Sequence, residues 1–197
     1  LDPSRLNLHT SITKMAPQAS ELGIDEIQYD YIRYPDSNSK FMIFDHENTT
    51  ENRVKNINSF LKDSKDILHA EKCLLSADTF GYILTNKQDG GIGQNLESIV
   101  NSVDFISPMV YPSHYSKGSF GYQNPNEYPY EVITAALNDA LERGVKSSQL
   151  RPFLQGFWHS TEDIQNNIAA ASDLEMDWLI WNILSVYELE TFTKLRE

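Results

Sequence analysis

Five short apolar or aromatic segments alternate along the chain with segments that have the pattern of amphipathic helices. This alternation constrains the fold more than any other feature. The five segments are rich in β-branched and aromatic residues and are bounded by turn-forming or charged residues, as β-strands are. They span residues 24–34, 73–82, 103–111, 150–159 and 178–187. The third segment is almost continuously hydrophobic, which is typical of a parallel strand covered on both faces. The alternation predicts an α/β protein.

The segments between these strands carry the period of amphipathic helices. Residues 57–68 and 132–141 each place apolar side chains near one helical face, and Gly144 follows the second segment as a helix stop. Ser160 precedes acidic residues, which predicts an N-cap and the first turn of another helix. A first helix is predicted at about residues 7–22. The order of elements is therefore one helix followed by five βα units.

Length and charge limit the classes of function that the chain can have. With 197 residues it is long enough for one domain of good size, so residues 1–197 are predicted to form a single domain. The net charge of −12, with no visible Lys/Arg cluster, argues against a nucleic-acid partner. No apolar run reaches the ~18–20 residues of a membrane span. Cys73 is the only cysteine, so no internal disulfide can form.

Acidic residues stand at both ends of the predicted strands, but in parallel α/β folds the functional loops lie at the carboxyl ends. Asp25 enters the first strand, whereas Asp30 lies roughly 16 Å further along at ~3.3 Å per residue, and on the opposite face. Asp78 ends the second strand, and Asp104 begins the third strand as a structural acid. Because neighbouring strands lie ~4.8 Å apart, Asp30 and Asp78 are expected to converge.

Both acids also have a structural interpretation. Asp30 could pair with Arg33, which would hold its carboxylate ionised, and Asp78 could cap the turn after its strand. The functional interpretation gains support from polar and aromatic residues near the same strand ends. The expected substrate-binding residues are Gln28, Arg33, Tyr111, His114, Gln155, Trp158, His159, Trp181 and Asn182.

A carboxylate pair flanked by aromatic side chains is the arrangement that cleavage of a glycosidic bond requires. One carboxyl group protonates the leaving oxygen, and the other attacks the anomeric carbon or activates a water molecule. Aromatic faces contact the C–H faces of sugars, while Gln, Asn and His bind hydroxyl groups. No cofactor is expected. No metal is expected either, because the adjacent residues Asp45, His46 and Glu47 cannot all face one ion on a regular element.

Seven motifs follow one another in a fixed order from about residue 15 to the end of the chain. They are ELGIDEIQYDYIRYP, SADTFGY, GIGQNLE, VDFISPMVYPSHY, FGYQNPNEYPYEVI, RPFLQGF and WLIWN. Together they resemble the family of bacterial glycoside hydrolase domains with a (β/α)₈ barrel, which is similar to the alpha-amylase and alpha-galactosidase barrels. Counting strands alone favours an open doubly wound sheet. The resemblance instead implies a TIM-type barrel of which this chain covers about five βα units, strands 4 to 8.

The resemblance also implies roles for individual residues. Asp30, at the end of the fourth strand, is implied as the nucleophile, and Asp78, on the fifth, as the acid/base. Many members of the family carry an Asp after the R-P-W-L-Q motif of the seventh strand, where this chain has Gly156. The first three βα units of the barrel would be missing, so that a further segment would have to supply them.

The expected function is therefore that of a glycosidase that cleaves a poly- or oligosaccharide with a pair of carboxylates. Because barrels that degrade glycans are usually exported, an extracellular or cell-surface location is expected. A second interpretation is a non-catalytic carbohydrate-binding barrel, for which Gly156 is the main support. A third is an inactive fragment of a barrel, which would expose unpaired strand edges and self-associate.

Overall fold

A computed structural model describes residues 4–5, 9–10, 13–14, 17–18, 21–36 and 43–193. Within these ranges the chain forms five β-strands, which neighbour one another in the order β1-β2-β3-β4-β5. The strands are β1 (Glu26–Tyr29), β2 (Leu74–Phe80), β3 (Phe105–Met109), β4 (Phe153–Gln155) and β5 (Leu179–Trp181). The β1–β2, β3–β4 and β4–β5 pairs are parallel.

Helices stand between the strands and after the last one. They are α1 (Thr50–Ala70), α2 (Leu96–Ile99), α3 (Pro129–Glu142), α4 (Thr161–Ser172) and α5 (Glu190–Thr193). Short 3₁₀ turns occupy Gly81–Leu84, Pro112–His114, Ser119–Gly121, Pro125–Glu127 and Ser147–Gln149. Parallel strands in sequential order, with helices between them, have the topology of consecutive units of a (β/α) barrel. The predicted fold class, five βα units of such a barrel, is confirmed.

The strands are shorter than the apolar segments that predicted them. The segment 24–34 contains a strand of four residues, and the segment 150–159 contains one of three residues. Residues beyond the strand ends still carry buried side chains, because they pack into the core without joining the ladder. Tyr34 is 1% exposed and Phe157 is 6% exposed. The sequence pattern therefore predicts burial, and the hydrogen-bonded strand is only part of each buried segment.

The predicted ends of two helices are confirmed. Helix α4 begins after Ser160, whose side chain forms a capping box with Asp163 at the third helical position. Beyond the end of α3, Gly144 has a φ of +87°, a left-handed conformation that glycine adopts without strain. The helix predicted at residues 7–22 lies largely outside the described residues. No helix in the described ranges has the length and hydrophobicity that crossing a bilayer requires.

The chain divides into two compact units. Unit 1 comprises the described residues up to Thr79 together with Asn86–Ile106, and unit 2 comprises Phe80–Thr85 and the described residues from Ser107 onward. The core of unit 1 includes Ile57, Leu61, Leu68, Leu75, Ala77 and Ile99. The core of unit 2 includes Val110, Ile133, Leu137, Leu154 and Ile168.

Asp104 lies immediately before β3, at the strand end that is predicted to be structural. Its carboxylate accepts hydrogen bonds from the Leu75 N–H at 2.9 Å and the His69 Nε2 at 2.8 Å, and it pairs with the Lys65 Nζ at 3.0 Å. Burial raises the pKa of Asp104, but these partners together outweigh burial and lower the pKa below its ordinary value. Asp104 thus links α1 to β2 and β3 inside unit 1.

Candidate active site

The two predicted catalytic acids of unit 1 stand at the carboxyl ends of neighbouring strands. The parallel register of β1 and β2 places Tyr29 opposite Ala77. Asp30 directly follows β1, and Asp78, the residue after Ala77, lies in β2 shortly before the end of that strand at Phe80. Because paired strands lie ~4.8 Å apart, this register carries the two carboxylates to the same end of the sheet on adjacent strands.

Asp78 is a nearly buried carboxylate with a fixed orientation. It is 7% exposed, and its Oδ1 accepts a hydrogen bond from the Nε2 of Gln28. Gln28 lies on β1 opposite Ser76, so its side chain reaches diagonally to the residue two positions further along β2. The predicted binding residue Gln28 therefore orients the predicted acid/base.

Asp30 is exposed, and its carboxylate accepts a hydrogen bond from the N–H of Tyr31 at 2.6 Å. Among the described residues it forms no ion pair. The Arg33 guanidinium lies 3.7 Å from the Asp36 carboxylate and 6.0 Å from the centre of the Tyr31 ring. The ion pair between Asp30 and Arg33 that the structural interpretation requires is therefore not formed in this part of the chain.

Tyr31, next to Asp30, has a left-handed backbone. Its φ is +57° and its side chain is 78% exposed. For a residue with a bulky side chain this conformation costs free energy, and such strain tends to occur at functional sites. The backbone at Tyr31 turns the chain away from the line of β1 directly after the predicted nucleophile.

The loop that precedes α2 forms hydrogen bonds with the segment after Asp30 and with the backbone of Asp78. Gln94 is 1% exposed, and its Nε2 donates to the carbonyl of Ile32 at 3.3 Å and to the carbonyl of Asp78 at 3.2 Å. In the same loop, the Ile92 carbonyl accepts a hydrogen bond from the Tyr34 N–H at 2.8 Å. Gln94 thus fixes the backbone of the segment after Asp30 relative to that of Asp78.

This loop is itself built around the buried carboxylate of Asp89, which is 2% exposed. Asp89 accepts hydrogen bonds from the Gly91 N–H at 3.2 Å, the Gly93 N–H at 3.0 Å and the Arg53 Nε at 2.7 Å. Burial raises the pKa of Asp89, but the bonds from Arg53 and the two amides outweigh it, so the pKa is lowered. A Cβ on Gly93 would lie 3.0 Å from the Arg53 carbonyl oxygen, so glycine suits this close approach.

Unit 2 gathers aromatic side chains at the ends of its three strands. Phe157 is the centre of this cluster, with its ring centroid 5.1 Å from Trp158, 5.3 Å from Tyr111 and 5.5 Å from Trp181. Tyr111 and Phe157 are buried, whereas Trp158 is 78% exposed and Trp181 is 41% exposed. The two tryptophans therefore present open ring surface on a buried aromatic support, as sugar C–H faces require.

His114 lies beside this cluster, with its ring 5.2 Å from Tyr111 and 5.9 Å from Phe157. Burial lowers the pKa of His114 below its ordinary value. Its imidazole is therefore neutral at pH 7 and can both donate and accept a hydrogen bond.

The side chain of Gln155 is completely buried beneath the cluster. Its Oε1 accepts hydrogen bonds from the Ser113 N–H at 3.1 Å and the Ser113 hydroxyl at 2.9 Å, and its Nε2 donates to the Phe157 carbonyl at 2.9 Å. The structure thus shows Gln155 holding together the loops after β3 and β4. Its direct contact with a substrate stays a prediction.

His159 is held by amides on both ring nitrogens. The Asn167 Nδ2 lies 3.2 Å from Nδ1 and donates to it, so that Nε2 carries the proton and donates to the Asn126 Oδ1 at 2.8 Å. Burial lowers the pKa of His159, although Asp163 opposes this effect. The imidazole is therefore neutral and fixed in one tautomer.

A cavity of about 320 Å³ in unit 2 contains two of the predicted binding residues, His159 and Asn182, in its wall. The Asn182 Nδ2 donates to the Gly156 carbonyl, and its Oδ1 accepts from the Leu184 N–H at 2.9 Å. Gly156 also lines this cavity, and a Cβ at that position would lie 2.6 Å from the Ile180 Cγ2. In the described ranges no three His, Cys, Asp or Glu residues form a group that could hold a metal ion.

A family model described as "Putative glycosyl hydrolase domain" matches residues 1–187 of this chain. The chain belongs to that family. The match covers both units and confirms the resemblance carried by the seven sequence motifs. No curated protein matches the chain in sequence.

Two solved structures share the fold of this glycosyl hydrolase family member. The PgaB (BpsB) glycoside hydrolase domain from Bordetella bronchiseptica matches with a TM-score of 0.63 and 12% identity, over 92% of this chain and 59% of that one. The spore cortex-lytic enzyme SleL from Bacillus megaterium matches with a TM-score of 0.63 and 11% identity, over 96% of this chain and 52% of that one. The chain therefore spans little more than half the length of these structures, and the likeness shows the partial barrel fold.

In each unit of this family member, residues outside the predicted set contact or connect predicted site residues. Phe157 is the centre of the aromatic cluster, Gln94 connects the two acidic strand ends, and Asn126 contacts His159. Phe157 and Gln94 belong to the motifs RPFLQGF and GIGQNLE, which is the signal that could have identified them. The contacts of Gln94 with Asp78, of Asn126 with His159 and of Phe157 with Tyr111 join residues far apart in the chain, which no local periodicity indicates.

Proposed function

We propose that the chain hydrolyses glycosidic bonds of a poly- or oligosaccharide and that Asp30 and Asp78 carry the chemistry. The observation that carries this proposal is the β1–β2 register, which ends at Tyr29 and Ala77, the residues that directly precede the two acids. Membership of a glycosyl hydrolase family supports the reaction class. Two carboxyl groups on neighbouring strands are the groups that such hydrolysis uses.

In the proposed mechanism the exposed carboxylate of Asp30 attacks the anomeric carbon, and the bond from that carbon to the leaving oxygen breaks. Asp78, oriented by Gln28, gives its proton to the leaving oxygen. Asp78 then takes a proton from a water molecule, whose oxygen attacks the anomeric carbon and releases Asp30. The role of Arg33, close to Asp36 and Tyr31, is to bind substrate hydroxyl groups beside the acids.

In unit 2 we propose that Trp158 and Trp181 bind sugar rings through their exposed faces. The buried rings of Tyr111 and Phe157 hold the two tryptophans in place. His114 is a neutral hydrogen-bonding group beside them and is suited to a sugar hydroxyl. The substrate class that these groups favour is a neutral glycan.

The test is the release of reducing ends from a panel of polysaccharides by the wild-type chain and by Asp30→Asn. We expect the wild-type chain to cleave at least one glycan, and Asp30→Asn to lose activity about a thousandfold or more because it lacks the nucleophile. Asp30→Asn should still bind that glycan. Asp63→Asn is the control, because Asp63 is exposed on α1 and has no part in the proposed site. Unchanged turnover in Asp30→Asn would refute the assignment of the nucleophile.

One observation favours a second function, a carbohydrate-binding barrel without activity. Gly156 stands where many family members carry an Asp, and its surroundings leave no space for a side chain. A binding protein of this kind would show saturable glycan affinity without turnover. Its affinity would fall in Trp158→Ala and would not change in Asp30→Asn.

We further propose that a further segment completes the barrel and that the protein acts outside a bacterial cell or at its surface. The described part of the chain has five strands, whereas a closed barrel of this type has eight. Unpaired edges of a sheet are sites of association, which favours a further segment that supplies strands.

A further inference from the structure

The cavity of about 320 Å³ in unit 2 has a polar side that contains a carboxylate with no role in the proposed mechanism. The cavity lies between the end of β4, the start of α4 and the residues that follow β5. Glu188 supplies the carboxylate, and Thr161 and Asn182 supply a hydroxyl and an amide. Its apolar side is formed by Ile164 and Ile180, among others.

The Glu188 carboxylate keeps most of its capacity to accept hydrogen bonds. Its Oε2 lies 3.4 Å from the Thr161 hydroxyl, a long hydrogen bond. Within the described ranges Glu188 forms no ion pair. The capping of α4 does not use it either, because Ser160 and Asp163 already form the capping box there.

The other polar groups of the cavity wall are fixed in direction. The Asn182 amide is held by the Gly156 carbonyl and the Leu184 N–H, which leaves one of its own N–H groups to donate. His159 is neutral and fixed by Asn126 and Asn167. The wall therefore offers hydrogen-bonding groups without rearrangement, which limits the entropy cost of binding.

We propose that this cavity is a sugar subsite in which the two oxygens of Glu188 accept hydrogen bonds from neighbouring hydroxyl groups of one neutral pyranose ring. A carboxylate bonded to hydroxyl donors makes charge-assisted bonds, which are roughly twice as strong as neutral ones. A volume of about 320 Å³ is at the small end of ligand pockets and suits a single ring. The negative charge of Glu188 would repel a phosphate, sulfate or carboxylate group, and among the described residues no Lys or Arg lines the cavity to offset it, so the cavity favours uncharged sugars. The subsite rests on the proposed action on glycans.

The test is saturation-transfer NMR of the chain with methyl glycosides of glucose, galactose, mannose, xylose, N-acetylglucosamine and glucuronic acid, each added separately. We expect at least one neutral glycoside to bind, and Glu188→Gln to weaken its Kd about tenfold or more, because the amide has one acceptor oxygen and no charge. Glu175→Gln is the matched control, since Glu175 is exposed in unit 2 and does not line the cavity. It should bind as the wild-type chain does.

Three results would overturn the subsite: no neutral glycoside binds, Glu188→Gln binds as tightly as the wild-type chain, or Glu175→Gln weakens binding equally. Thermal unfolding of Glu188→Gln should match that of the wild-type chain, because the side chain is exposed. The measurement does not depend on turnover.

Binding that depends on Glu188, without release of reducing ends from any glycan, would refute the hydrolase and retain the subsite. Release of reducing ends, together with glycoside binding that does not depend on Glu188, would support the hydrolase and refute the subsite.

Discussion

At the scale of single residues, Gly156 shows how close packing leaves no space for a side chain. The Gly156 N–H donates to the Trp181 carbonyl at 2.9 Å, so the end of β4 lies directly against β5. A Cβ at this position would meet the Ile180 Cγ2 at 2.6 Å and the Trp181 carbonyl oxygen at 3.0 Å. A side chain at this position would force these neighbours to move, since distances below 3.0 Å require a shift.

Gly156→Ala tests this account of the residue. The added methyl group overpacks the contact with Ile180, and we expect it to lower the free energy of unfolding by about 1–3 kcal/mol. Ile180→Ala removes the Cγ2, so the double variant should lose less stability than the sum of the two single variants. Urea-induced unfolding of all four proteins measures this. Wild-type stability of Gly156→Ala would show that the position tolerates a side chain, and additive losses would show that the strain does not come from Ile180.

At the scale of secondary structure, Asp104 acts as a junction at the amino ends of the strands in unit 1. Its carboxylate forms an ion pair with Lys65 on α1 and accepts a hydrogen bond from the backbone N–H of Leu75 on β2. The folded pKa of Asp104 lies below its ordinary value, so the ionised carboxylate stabilises the folded chain. That stabilisation is present above the ordinary pKa of ~3.9 and disappears as the pH falls through the folded pKa.

Asp104→Asn should therefore destabilise the chain at pH 7 and have progressively less effect below about pH 4, where the wild-type carboxylate also loses its charge. The measurement is the free energy of unfolding of both proteins between pH 7 and pH 2. Asp177→Asn is the control, because Asp177 is exposed and should be neutral at every pH. A difference between Asp104→Asn and the wild-type chain that is the same at all pH values would contradict an ionic role.

The order of the strands and helices could be predicted from the sequence, because buried strands appear as short apolar segments and amphipathic helices appear as apolar residues at helical spacing. The lengths of the strands could not, since Tyr34 and Phe157 are as apolar as strand residues although they lie beyond the ladder. The positions of Asp30 and Asp78 along the chain predicted that both lie near the carboxyl ends of their strands, although β2 continues to Phe80, and the motif resemblance implied their roles. Gln94 was not found, because its two bonds join it to residues 62 and 16 positions away in the chain.

At the scale of the whole molecule, the two units carry different parts of the proposed chemistry. Unit 1 contains the acid pair and the loop that fixes it, and unit 2 contains the exposed tryptophans and the cavity at Glu188. The family match covers both units. The central claim is that Asp30 and Asp78 act together on one glycosidic bond, and it requires a test of the pair rather than of either residue alone.

A double-mutant cycle on the glycan that the wild-type chain cleaves fastest provides that test. Rates of reducing-end release are compared for the wild-type chain, Asp30→Asn, Asp78→Asn and the variant with both substitutions. If the two carboxylates serve one bond, the double variant should be about as slow as the slower single variant, because the loss of one partner already removes the mechanism. Losses that multiply in the double variant, or full activity of Asp78→Asn, would contradict the account.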